Sequence, residues 1–276
     1  MQYSNYPRNY PSDFANLTQS IERFVLPGFI PEEPIFSHKS IIRTQGSCFA
    51  EHIHKELVSQ ELKSRYFQFY ETINSPLANR IFFDLIVTEN PLYKHPIHEK
   101  LFPLRTVTGI RQLLKNEDIF IFTVGVAGGW YDKSGHIPVI NPDPKDLDNF
   151  KFRWLNVDQN IKEIKKIIEN LKTINPNIKI VITLSPVPLS KAFGYDSPIV
   201  ADCLSKSTLR IAIFEAIRGY LKDVYYWPSF EIVRWLGSHT NPVFGIDDGV
   251  ARHVAKENIE IITKLFVKYF FMPKNS

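Results

Sequence analysis

The stretch Ile41-Ile42-Arg43-Thr44-Gln45-Gly46-Ser47-Cys48-Phe49-Ala50-Glu51-His52-Ile53 reads as a short apolar strand, a tight small-residue turn and the start of a helix. Gly46 permits the sharp bend because it lacks a Cβ and reaches φ > 0 at little cost. Ser47 then stands at the start of the helix, above the carboxyl end of the strand, where open α/β sheets place their ligands. Two readings of Ser47 are open. It is the N-cap of the helix, which the local pattern alone favours, or it is a nucleophile that a histidine reaches from elsewhere in the chain.

Working outward, 276 residues suffice for one large α/β domain with its own core, or at most two small ones. No apolar run is long enough to span a bilayer. The polar, aromatic start MQYSNYPRNYPSDF lacks the apolar stretch of a signal peptide, so a cytoplasmic protein is expected. Two cysteines, Cys48 and Cys203, make no disulfide framework. Cys48 reads as a buried small residue. The net charge of +4 is spread out, and the densest run, Lys162-Glu163-Ile164-Lys165-Lys166, belongs to an amphipathic helix face. No nucleic-acid partner is expected.

Residues 1–35, with Pro27, Pro31 and Pro34, read as an extended arm, and 36–276 as the domain. Strands are expected at 40–45, Tyr66 to Tyr70, 118–125, 178–184 and 224–227. Helices are expected at 48–63, after Thr72-Ile73-Asn74-Ser75-Pro76, at 156–172, at 203–221, after Pro228 and Ser229, and at Val254 to Phe271. The run at 118–125 is almost wholly apolar, as a parallel strand buried on both faces should be. Residues 90–115 read as an insertion-like stretch and 133–150 as a polar hairpin or loop. His95 and His98 flank Pro96 with no cysteine or carboxylate cluster nearby, so a surface loop is expected there. His52 and His54 face different ways on their helix. Neither a metal nor a cofactor is expected.

The order of the motifs adds a further reading. TQGSCFAEHI resembles the name-giving motif of the GSCFA family, a branch of the SGNH/GDSL hydrolase superfamily, with Gly46 to Ala50 supplying all five letters. FTVGVAGGWYD at 122–132, ITLSPVPL at 182–189, SKSTLR at 205–210, YYWPSFEIV at 225–233 and the RHV segment at 252–254 follow in the family's order. The resemblance implies a three-layer α/β/α sandwich with a mostly parallel, flavodoxin-like sheet. It selects Ser47 as nucleophile and His253 as its base.

The superfamily's histidine usually follows an aspartate by three residues, but Val250 stands there. Asp248, preferred over Asp247, would therefore orient the ring, unless a backbone carbonyl does. Asn74 is a turn asparagine or an oxyanion donor. The block around Gly125, Gly128, Gly129 and Trp130 lacks the superfamily's asparagine, and Gly129 stands where relatives carry an acidic or polar residue. Its glycines could bring N–H groups close to a ligand. Trp130 is either a platform for a sugar ring or a packed tryptophan. Lys206 is read as a surface lysine in preference to an anion contact.

The function implied is a serine esterase for an O-acylated carbohydrate or similar small ester. The alternatives are an O-acyltransferase in surface-polysaccharide synthesis and a non-catalytic binding module on the same fold.

Overall fold

A computed structural model describes residues 9–11, 13–14, 16–69, 73–88, 91–220, 222–240 and 242–273. Its strands and helices follow in chain order as β1 (Ile41–Gln45), α2 (Cys48–Ser59), β2 (Lys63–Phe67), α3 (Pro76–Val87), α4 (Pro96–Leu101), α5 (Leu104–Leu114), β3 (Ile119–Val124), β4 (Gly128–Asp132), β5 (Pro138–Val139), β6 (Phe150–Trp154), α6 (Val157–Ile174), β7 (Lys179–Leu184), α7 (Pro198–Ile217), β8 (Val224–Tyr226) and α8 (Lys256–Phe270), with a short α1 (Leu17–Ser20) before them.

Five strands pair in the order β2-β1-β3-β7-β8, every pair parallel. In chain order that is 2-1-3-4-5, the flavodoxin-like arrangement, whose ligand crevice opens where the order reverses between β1 and β3. Successive side chains of a strand point to opposite faces, and β3 shows the consequence. Phe120, Phe122 and Val124 enter a core with residues of α3, α5, α6 and α7. Ile119 and Ile121 enter a second core with residues of α2 and α8. The architecture is therefore the expected three-layer α/β/α sandwich. The registers Gln45↔Phe122, Val124↔Leu184 and Ile182↔Tyr226 align the carboxyl ends of four strands along one edge.

Several expectations need correction. Residues 17–25 are helical rather than an extended arm. Ile21 and Leu26 are buried in the α2–α8 core, and Glu22 accepts from Lys268 Nζ at 2.6 Å and Tyr269 Oη at 3.0 Å. The second strand starts at Lys63, earlier than expected. Tyr70 and Thr72, and the residues at 90 and 221, lie outside the described residues. The 90–115 stretch contains α4 and α5, and Val107, Ile110 and Leu114 pin α5 to the core. A three-stranded antiparallel sheet, β5-β4-β6, occupies this region: β4 stands where a glycine-rich loop was expected, and β4 and β5 form an antiparallel pair across the stretch expected as a hairpin or loop.

His98 is likewise not on a surface loop. It is 1% exposed, and its Nε2 lies 3.3 Å from the Ile140 N–H. Burial, aided by His95, holds its pKa at about 4, below the usual 6.5. The unfolded chain therefore binds a proton at this position between pH 6.5 and 4 that the folded chain does not. Stability is expected to fall through that window as pH drops, by up to about 3 kcal/mol, and to lose nothing further from this group below pH 4. Urea midpoints of His98→Gln against wild type should converge toward pH 4 if this holds; parallel curves would contradict it.

Candidate active site

Gly46 has φ +140°, and a Cβ placed there would lie 1.9 Å from Thr123 Oγ1 and 3.0 Å from the Thr123 carbonyl oxygen. The first bend after β1 thus presses its backbone onto β3, and only glycine fits. Gly46→Ala combines left-handed strain with overpacking, and a loss of about 3 kcal/mol or more is expected in chemical denaturation. An unchanged denaturation midpoint would contradict the close approach.

Ser47 occupies the N-cap of α2 with φ −70° and ψ −174°, yet its side chain makes no cap hydrogen bond. It is 2% exposed, and among the described residues its Oγ has no hydrogen-bond partner. A buried hydroxyl left unbonded costs on the order of 1–3 kcal/mol, so capping does not explain this serine.

His253 and Asp248 lie in the turn that enters α8. His253 Nδ1 is 2.5 Å from Asp248 Oδ2, while Asp248 Oδ1 accepts the Val250 N–H at 2.9 Å. The bond to His253 is the main cause holding the Asp248 carboxyl below its ordinary range. The neighbouring Asp247 is engaged elsewhere, accepting the Lys256 N–H at 2.6 Å at the start of α8. Gly245 and Gly249, at φ +72° and +73°, let this turn double back. The side chains of His253 and Asp248 are 37% and 47% exposed.

Two contacts place this turn near the carboxyl edge of the sheet and α2. Arg252 Nη1 donates to the Pro188 carbonyl at 3.2 Å, in the loop after β7. Residues of α2 and α8 share one core. His52, on α2, has its imidazole pushed down by burial first and Lys55 second, with lesser effects from Glu51, His253 and Asp248. No hydrogen bond joins Ser47 Oγ to His253.

Asn74 is buried beside the crevice. Its carbonyl accepts the Gly125 N–H at 2.9 Å and the Val126 N–H at 3.3 Å. A Cβ on Gly125 would sit 2.9 Å from Asn74 Oδ1. The next N–H, of Ala127, goes to Ser205 Oγ at 2.9 Å. The N–H groups of 125–127 thus already have acceptors within the protein. Gly128 and Gly129 belong to β4. The atoms that approach them closely are protein atoms, the Arg153 carbonyl with the Phe152 ring and Leu77 Cδ2 respectively. Trp130 packs edge to face with Phe152 and Phe193 at ring-centroid distances of 5.3 and 4.8 Å.

Two features escaped sequence reasoning. Gln45 Nε2 donates to Asn79 Oδ1 at 2.6 Å, and Asn79 Nδ2 donates to the carbonyls of Ile73 and Ser75 at 3.4 and 2.9 Å. This buried chain ties the residues flanking Asn74 to the end of β1. Lys206, expected at the surface, is 1% exposed, and its Nζ donates to the Gly125 carbonyl at 2.9 Å. Its signal was present in the sequence, because Lys206 shares the stripe of Ala201, Ser205, Leu209, Ala212, Ile213 and Ala216 that α7 buries. Among the described residues no group of three or more potential ligands is placed to hold a metal ion. No helix of the described residues is long and apolar enough to cross a membrane.

The model of the GSCFA family matches residues 103–266, more than half of the sequence, and the chain belongs to that family. The matched segment contains Gly125, Lys206, Asp248 and His253, and Ser47 lies upstream of it. No curated protein matches the sequence. Among solved structures the chain is similar to a family 2 carbohydrate esterase with a carbohydrate-binding domain from Corynascus thermopiles (Myceliophthora fergusii), at 13% identity and TM-score 0.46, covering 87% of this chain and 67% of that one. A family 3 carbohydrate esterase from Talaromyces cellulolyticus shows 13% identity and TM-score 0.41 over 83% and 93%. A salicylyl-acyltransferase from a tetracycline biosynthetic pathway shows 13% identity and TM-score 0.46, over 84% of this chain and 54% of that one. All three scores lie below 0.5, and none of these likenesses identifies the chemistry of this chain.

Proposed function

We propose that the chain is a serine esterase of the SGNH type, acting on an O-acylated carbohydrate or similar small ester. The observation that carries this reading is the Ser47 hydroxyl, which stands at a helix N-cap, caps nothing and is bonded to nothing described. Other buried polar atoms, such as Thr183 Oγ1 and Ser229 Oγ, likewise have no partner among the described residues, and Ser47 Oγ is set apart by its place at the N-cap beside the β1–β3 crevice. The bonded His253–Asp248 pair, beside Arg252 whose Nη1 donates to the Pro188 carbonyl after β7, supports it. The substrate class comes from the family resemblance and is associational.

In the proposed reaction His253 Nε2 takes the Ser47 proton while Oγ attacks the ester carbonyl, and Asp248 holds Nδ1–H in place. The alkoxide of the tetrahedral intermediate faces the start of α2, whose dipole favours negative charge. The Ser47 N–H and the Asn74 side chain are its proposed donors. Collapse expels the alcohol with the proton held on Nε2, and water or a sugar hydroxyl then accepts the acyl group.

A second reading, a non-catalytic module, is favoured by the absence of a Ser47–His253 hydrogen bond and by the burial of Ser47. Incubation with a fluorophosphonate probe followed by mass spectrometry separates the two. An adduct on Ser47 supports the esterase. No adduct on wild-type protein supports the module. If an added sugar acceptor outcompetes water for the acyl group, the enzyme is a transferase.

A further inference from the structure

Lysine is almost never fully buried, because removing an ammonium from water is costly without compensating bonds. Lys206 nevertheless lies among the largest fully buried side chains of the protein. A methionine of similar length would fill the same space on α7 without that cost. The ammonium reaches the Gly125 carbonyl at 2.9 Å, at the residue where the chain leaves β3. One position earlier on α7, Ser205 Oγ accepts the Ala127 N–H at 2.9 Å and lies 3.5 Å from the same Gly125 carbonyl.

The turn 125–127 is therefore gripped from two sides. Ser205 and Lys206 hold the Gly125 carbonyl and the Ala127 N–H. The Asn74 carbonyl holds the N–H groups of Gly125 and Val126. Gly125 has no room for a Cβ because the Asn74 amide occupies that place. A shift of the turn would thus carry Asn74 with it, at the β1–β3 crevice where Ser47 stands.

We propose that Ser205 and Lys206 form a positioning clamp that sets Asn74 against the Ser47 site. Neither touches the reacting atoms. They act through the Gly125–Ala127 turn. This rests on the serine chemistry proposed above.

The test is the rate at which a fluorophosphonate labels Ser47 in wild type, Ser205→Ala, Lys206→Met and Lys206→Ala, with thermal melting of each as a check of folding. Folded Lys206→Met and Lys206→Ala should label at least about tenfold more slowly, and turnover of 4-nitrophenyl acetate should fall in kcat with KM nearly unchanged. n-Butylamine should restore part of the rate to Lys206→Ala, and 1-butanol, a neutral filler of similar size, should not. A wild-type rate in folded Lys206→Met, or equal rescue by amine and alcohol, would overturn the clamp in favour of simple packing. If neither lysine variant folds, Ser205→Ala decides, with a severalfold slowing supporting the clamp and an unchanged rate overturning it. A wild-type protein that never labels at Ser47 defeats the serine reading and the clamp together. Equal labelling of wild type and folded variants defeats the clamp alone.

Discussion

Ser47→Ala is expected to lower ester hydrolysis by at least about a thousandfold while leaving thermal stability unchanged or slightly raised. The two halves of this expectation come from the same atom. Ser47 Oγ is buried and without a partner among the described residues, so removing it relieves an unpaid desolvation rather than breaking a bond. The helix loses nothing either, because the hydroxyl makes no cap bond to α2. An ordinary N-cap serine behaves in the opposite way, since its replacement by alanine costs about 1 kcal/mol and leaves chemistry untouched. Parallel measurement of the melting midpoint and the hydrolysis rate therefore distinguishes nucleophile from cap. A lowered midpoint with full activity would return Ser47 to the structural role that its sequence position first suggested.

Much of the fold was legible because buried parallel strands and long amphipathic helices print strong periodic patterns. The run Ile119–Val124 and the Ile164, Ile168, Leu171 spacing of α6 are of this kind. The small sheet was not legible. Its strands are short, β5 being only Pro138–Val139, β6 alternates between half-buried and exposed positions, and the glycines of β4 suggest a loop. The helices α4 and α5 were hidden by Pro96, Pro103 and two histidines, which read locally as loop formers.

At the candidate site, the family resemblance rather than the residue types singled out positions 47 and 253, Asn74 stayed open between turn residue and donor, and the hydrogen-bond accounting of 125–127 required coordinates. Backbone N–H groups look alike in a sequence, and which carbonyl claims them depends on the loop at Asn74 and on two side chains of α7. Lys206 was misplaced because residue type was weighed above its position on the buried stripe of its helix.

The neighbouring aspartates should separate cleanly. Asp248→Asn is expected to reduce kcat/KM on the order of a hundredfold or more, and Asp247→Asn to leave it within about threefold of wild type. In the structure only Asp248 reaches His253, through Oδ2 to Nδ1. Because that bond keeps the Asp248 carboxyl below its ordinary range, it remains an acceptor throughout the neutral range and holds the proton on Nδ1. In the proposed reaction this leaves Nε2 to act as the base. An asparagine amide at position 248 can donate instead of accept, which lets the proton move to Nε2 and removes the lone pair that the reaction needs. Asp247 serves the first N–H of α8, a duty that asparagine performs about as well, so its substitution should disturb neither the helix nor the histidine. His253→Gln deletes the proposed base and should match Ser47→Ala in its loss, with the double variant no worse than either alone if the two act as a unit. Losses that multiply in the double variant would mean that serine and histidine work independently, and the proposed proton transfer between them would fail.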